Sequence, residues 1–211
     1  MRTERRKFMK SFEILPYIEG TSNQYIDTEV KPFKDIDFYY DIEYTSMKVV
    51  NMSVSTPTFG VCGSTYGWTK ESFYIIYRDD KKNFNIRAYK TYTINDNREN
   101  CPLLSGRFQI RMSYSRWQLI QDNKIIAQQT LDGANIFPNL SIYIGNKHDS
   151  STTQFSMEAY YKMYGCKIYH GKLLIRDFVP AKYKGRKGMF ETIGKKFYGF
   201  KQVIYDKQTM D

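Results

Sequence analysis

The residues best suited to do chemistry are the carboxylates of one short run, which reads DIDFYYDIEY from Asp35 to Tyr44. Side chains of a strand alternate between its two faces, so Asp35, Asp37, Asp41 and Glu43 share one face with Tyr39. A retaining glycosidase needs two carboxyl groups about 5–5.5 Å apart across the scissile bond. Here Tyr39 interrupts the acids and Lys34 precedes them, so a solvated outer face is expected. The two histidines, His148 and His170, fall in turn-like settings and read as surface residues. The chain has no Ser/His/Asp grouping, no H-E-x-x-H and no glycine-rich phosphate loop. Cys62, Cys101 and Cys166 have no C-x-x-C spacing and read as partly buried thiols in a reducing cytosol. These residues predict no enzyme.

Binding chemistry has other candidates. Trp68, in the loop-like Gly67-Trp68-Thr69, and the nearby Tyr66 offer flat apolar platforms for a sugar ring. Asn146 and Asp149 offer polar groups to fix hydroxyls. With Ser150 and Ser151 they also supply oxygens for calcium, but the loop lacks a second carboxylate. No metal ligand is therefore assigned, and a structural calcium ion stays an alternative. The formal charge of +10 points to an anionic partner. Arg2, Arg5, Arg6, Lys7 and Lys10 make residues 1–11 a basic arm suited to docking on a partner. Further basic residues follow Pro180, interleaved with aromatics whose rings are expected inside, so nucleic acid is not the expected partner.

The elements that position these residues are strands. The chain holds 19 Tyr and 14 Phe, a bias toward pleated surfaces. Opposite the acids, Ile36, Phe38, Tyr40, Ile42 and Tyr44 form an apolar face, the signature of an antiparallel sandwich strand. Phe108, Ile110, Met112 and Tyr114 repeat the pattern. Further strands are expected near 58–62, 72–78, 83–89, 116–121, 124–129, 140–145 and 160–169, with Asp122-Asn123 as a two-residue hairpin turn. Trp117 reads as core. The run Ile14–Ile18 and the strand Gln24–Thr28 flank a turn at Gly20–Asn23, and Pro180 is expected to stop the strand begun at Lys172. Strands at short spacing with few or no helices predict an all-β, two-sheet antiparallel jelly-roll sandwich. The expected layout is an arm over 1–11, one domain over 12–200 and a tail over 201–211. Lys10, Ser11 and Glu13 break the apolar run that a signal peptide needs, and no window spans a membrane.

Several fragments, in order, resemble a known family. Tyr17-Ile18-Glu19-Gly20-Thr21-Ser22-Asn23-Gln24-Tyr25-Ile26-Asp27-Thr28 is similar to the opening of concanavalin A-like, laminin-G-like jelly-roll domains of tailed phages and gut bacteria. Phe59-Gly60 and Ile142-Tyr143-Ile144-Gly145-Asn146 resemble inner strands of that family. Lys167-Ile168-Tyr169, Leu174–Ala181, Gly188-Met189-Phe190 and Phe197-Tyr198 resemble its ending, with Ala181 where cysteine is frequent. The resemblance implies a concanavalin A-like fold. The acid order E-x-D-x-x-E of laminarinase-type enzymes on this fold is missing. The expected function is therefore a non-enzymatic virion structural or decoration protein of a tailed phage, such as a capsid auxiliary, head-fibre or tail module. It would be assembled in the host cytoplasm and present in several copies beside other virion proteins. The alternative is a lectin-like carbohydrate-binding module for host-surface or mucosal polysaccharide; a glycosidase ranks third.

Overall fold

A computed structural model describes residues 12–21, 23–49, 56–62, 72–78, 83–88, 90–93, 106–130, 139–145, 148–149 and 157–202. Among these there is no helix. In chain order the strands are β1 (Phe12–Ile14), β2 (Ile18–Thr21), β3 (Gln24–Asp27), β4 (Ile36–Val49), β5 (Thr56–Cys62) and β6 (Ser72–Arg78). They continue as β7 (Asn83–Ala88), β8 (Lys90–Thr93), β9 (Arg107–Ser113), β10 (Arg116–Gln121), β11 (Lys124–Thr130) and β12 (Tyr143–Ile144). The last six are β13 (His148–Asp149), β14 (Met157–His170), β15 (Leu173–Tyr183), β16 (Arg186–Glu191), β17 (Lys196–Gly199) and β18 (Lys201–Gln202). A ten-stranded sheet runs β11-β10-β9-β4-β14-β15-β16-β17, with β1 beside β15 and β2 beside β14. A smaller sheet runs β18-β3-β12-β5-β6-β7-β8. Every pairing is antiparallel except the short one of β13 with β5.

The expected β-sandwich is therefore present, and its core follows the alternation read from the sequence. Ile36, Phe38, Tyr40, Ile42 and Tyr44 of β4 are all buried, as are Phe108, Ile110 and Met112 of β9 and Trp117 of β10. Ile26, Ile142 and Ile144 of the smaller sheet join Ile18, Ile42, Tyr161 and Met163 of the larger one in a single cluster. Burying such side chains contributes roughly 1.5–3 kcal/mol each, which is what holds two sheets face to face. The Tyr161 hydroxyl reaches the carbonyls of Thr21 and Gln24 at 2.9 and 3.0 Å, bracing the corner where the chain leaves the large sheet for the small one.

Local chemistry explains the turns. Asp122 and Asn123 take φ of 50° and 61°, as expected of a two-residue hairpin between β10 and β11. Lys184-Gly185, at φ of 47° and 80°, closes β15 on β16 in the same way. Two expectations are corrected. The run Ile14–Ile18 is not one strand: it divides between β1 and β2, which pair with different neighbours, and Gly20-Thr21 belongs to β2 rather than to a turn. Pro180 does not stop its strand, and β15 continues through it to Tyr183. A proline is tolerated where the ladder has a gap, and Pro180 sits where β15 exchanges β14 for β1 as its neighbour. Its carbonyl still accepts from Leu15 N at 2.9 Å.

Candidate functional site

The face of the large sheet that points away from the core carries a dense polar and aromatic array. Register sets it out in rows across β9, β4 and β14. Arg111 lies opposite Tyr39 and Tyr39 opposite Lys167; Gln109 lies opposite Asp41 and Asp41 opposite Gly165; Arg107 lies opposite Glu43 and Glu43 opposite Lys162. Lys167 faces Asp177 on β15. At Gly165 the ladder of β14 on β4 slips by one residue, so Tyr164 is the extra residue of a bulge. Gly165 has no side chain, and a Cβ there would lie 3.3 Å from the Phe178 carbonyl. The bare floor opens a groove of about 380 Å³ walled by Tyr39, Asp41, Gln109, Tyr164, Lys167, Tyr169 and Val179.

Three acids of this face, Asp37, Asp41 and Glu43, are engaged, whereas Asp35, expected beside them, lies exposed in the turn before β4 with φ of 62°. Arg107 holds Asp41 with two parallel bonds of 2.7 and 2.8 Å, and Gln109 Nε2 donates to the same carboxylate at 3.1 Å. Arg111 donates through Nε and Nη2 to Asp37. Glu43 accepts from the Tyr164 hydroxyl and lies 3.7 Å from Lys162 Nζ. The solvated acidic face expected from the sequence is thus half-buried and cross-linked at Asp37, Asp41 and Glu43, because the arginines of β9 reach it diagonally and Lys162 of β14 lies directly opposite Glu43. Exposed ion pairs contribute about 0–1 kcal/mol to stability, so their main effect here is to fix geometry. The carboxylate hydrogen bonds push the guanidinium groups of Arg107 and Arg111 further up from an already high range.

The same cations pin the rings. Arg107 lies 4.1 Å over Tyr164 and Arg111 4.7 Å over Tyr39. Tyr39 meets Tyr169 edge to face at 5.3 Å. Burial, then the hydrogen bond to Glu43, pushes the Tyr164 phenol up to about 12, so at neutral pH it is a fixed donor. Burial likewise raises Tyr39. Side chains held this way lose little rotamer freedom when a ligand arrives. Flat rings beside amide, carboxylate and ammonium groups suit a ligand that is apolar on its faces and hydroxylated on its rim.

Of the residues weighed from the sequence, Asp41 lines this groove. Trp68 and Tyr66 lie outside the described residues, as do Asn146 and the arm residues Arg2, Arg5, Arg6, Lys7 and Lys10. Asp149 is described only through its backbone, which pairs with Cys62 of β5. His170 ends β14, with its ring 4.9 Å from that of Phe33. Among the described residues no three His, Cys, Asp or Glu side chains gather as metal ligands. Sequence reasoning missed Tyr164, Tyr169, Gln109 and Lys167, although Gly165 inside a strand pattern was a usable signal for a bulge. The chain matches no family model and no curated protein to which it was compared.

Proposed function

We propose that the protein is a non-enzymatic binding module that holds a polysaccharide on the outer face of its large sheet. The observation that carries this reading is the groove over Gly165, where pinned Tyr39, Tyr164 and Tyr169 stand beside Gln109 and Lys167. Commitment of Asp37, Asp41 and Glu43 to cations and a phenol supports binding over hydrolysis, which needs one carboxyl free to give a proton and another to attack. The setting we propose is the surface of a tailed-phage particle, where many copies of a weak binder gain avidity. Its support is the family resemblance, whose fragments fall on β2, β3, β5, β12 and β14 to β17.

A glycan array probed with the wild type and Tyr169→Ala tests the reading. Tyr169→Ala is expected to lower binding at least tenfold while leaving the melting temperature within about 2 °C, the range of a surface substitution. An array without signal above background rejects it. Sugar release that disappears in Asp37→Asn or Glu43→Gln would replace it with a glycosidase.

A further inference from the structure

A second cleft, of about 310 Å³, lies further along the same strand and is lined by Phe12, Tyr183, Lys184, Arg186 and Phe197. Alternation along β15 puts Tyr183 on the face that carries Asp177 and Val179 beside the groove. Four residue steps of strand take Val179 to Tyr183, roughly 13 Å at the rise of a β-strand. Two opposed glycines, Gly188 and Gly199, clear the floor: a Cβ on Gly188 would lie 2.8 Å from the Phe197 ring, and one on Gly199 would lie 3.2 Å from Arg186 Nη2. Phe197 and Arg186 therefore lie down on the sheet and shape the cleft.

Its electrostatics are one-sided. Lys184 and Arg186 line it and Lys187 stands exposed beside them, yet no carboxylate among the described residues lies within ion-pair distance of any of the three. Next to them, Lys182 has Glu13 at 3.8 Å. The sequence immediately before Phe12 adds Arg2, Arg5, Arg6, Lys7 and Lys10 against a single Glu4, a net charge of the same sign as the cleft. The rings are not free stacking platforms. Phe12 stacks on Tyr183 at 4.6 Å, leans on Phe190 at 4.5 Å, and Lys184 covers Tyr183 at 5.2 Å. Single-stranded nucleic acid binds through open aromatic faces, which this cluster has already used on itself. What remains is an apolar wall under two uncompensated cations.

We propose that this cleft takes the anionic substituent, a carboxylate or sulfate, of an acidic polysaccharide whose chain continues into the groove over Gly165. The inference rests on the saccharide reading of that groove and names the ligand class. The test measures binding of polygalacturonate, dextran sulfate, neutral dextran and an oligothymidylate to the wild type and three variants. Lys184→Ala/Arg186→Ala is expected to weaken binding of at least one acidic glycan tenfold or more. Tyr169→Ala weakens the same glycan, and a remote control, Lys124→Ala at the far edge of the large sheet, leaves it within about twofold, as expected of a charge beyond a Debye length. Equal losses in the cleft and control variants would reduce the effect to net charge and overturn the proposal. So would an acidic glycan indifferent to the cleft variant, or oligothymidylate binding where both acidic glycans fail. Neutral dextran binding alone removes the acidic ligand and leaves the groove reading standing. No glycan binding at all removes both. Because Lys184 and Arg186 are exposed, a melting curve matching the wild type establishes that a loss is not unfolding.

Discussion

Gly20 and Gly145 stand against one ring. A Cβ on Gly20 would come within 2.4 Å of Tyr161 Cε2, and one on Gly145 within 2.4 Å of the Tyr161 hydroxyl. The ring cannot retreat, because it is fully buried and its hydroxyl is bonded to the Thr21 and Gln24 carbonyls. Gly20→Ala is therefore an overpacking substitution, expected to cost about 3 kcal/mol, the upper end for added core methyls. Gly171→Ala separates this from a backbone effect: Gly171 has φ of +58° but nothing within 4 Å of a new Cβ. It should lose only about 1 kcal/mol, the cost of a left-handed alanine. Urea unfolding of both variants measures the difference, and equal losses would show that the Tyr161 contact is not limiting.

At the scale of elements, the sheet edge is held by a carboxylate that sequence reading passed over. Glu191 ends β16 at 1% exposure, and its oxygens accept from Asp177 N at 3.2 Å, Ile193 N at 2.8 Å and Gly194 N at 2.5 Å. Thr192 adds two bonds to Asp177, from its amide to the carbonyl at 2.8 Å and from its hydroxyl to the carboxylate at 3.2 Å. The β16–β17 turn is thus tied to β15, the strand that borders both clefts. Glu191→Ala strips three amides of their acceptor and is expected to cost about 3 kcal/mol, since hydrogen bonds to charged groups are worth more than neutral ones. Glu191→Gln keeps one oxygen and should lose less. Hydrogen exchange at Ile193 and Gly194 should speed up in Glu191→Ala before the rest of the sheet does, and unchanged protection there would refute the clamp. Pro180 belongs to this scale too. Read alone it ends a strand; in the sheet it falls in the gap of β15 between its pairing with β14 and its pairing with β1.

For the whole molecule, stability resides in the two-sheet sandwich, and the charge of residues 1–11 is a separate feature of the sequence. The core cluster, from Ile18 to Met189, draws on both sheets. Deleting residues 1–11 is therefore expected to leave the melting temperature within about 3 °C, less than the effect of 1–2 kcal/mol in a domain of this size. On the virion reading the same deletion lowers incorporation into particles, scored by occupancy per particle; wild-type occupancy would deny the arm a docking role. What sequence alone determined was the class of fold, the inward faces of β4 and β9, the buried Trp117 and the Asp122-Asn123 turn. Each depends on alternation or turn chemistry between neighbours in the chain, which the order of residues contains directly. Tertiary structure decided the rest. The acids of β4 looked solvated because their partners Arg107, Arg111 and Lys162 lie on strands more than 60 residues away, and only the register of β9 and β14 brings them together. The groove exists because a bulge at Gly165 falls opposite Asp41, and that juxtaposition is a property of paired strands rather than of either strand alone.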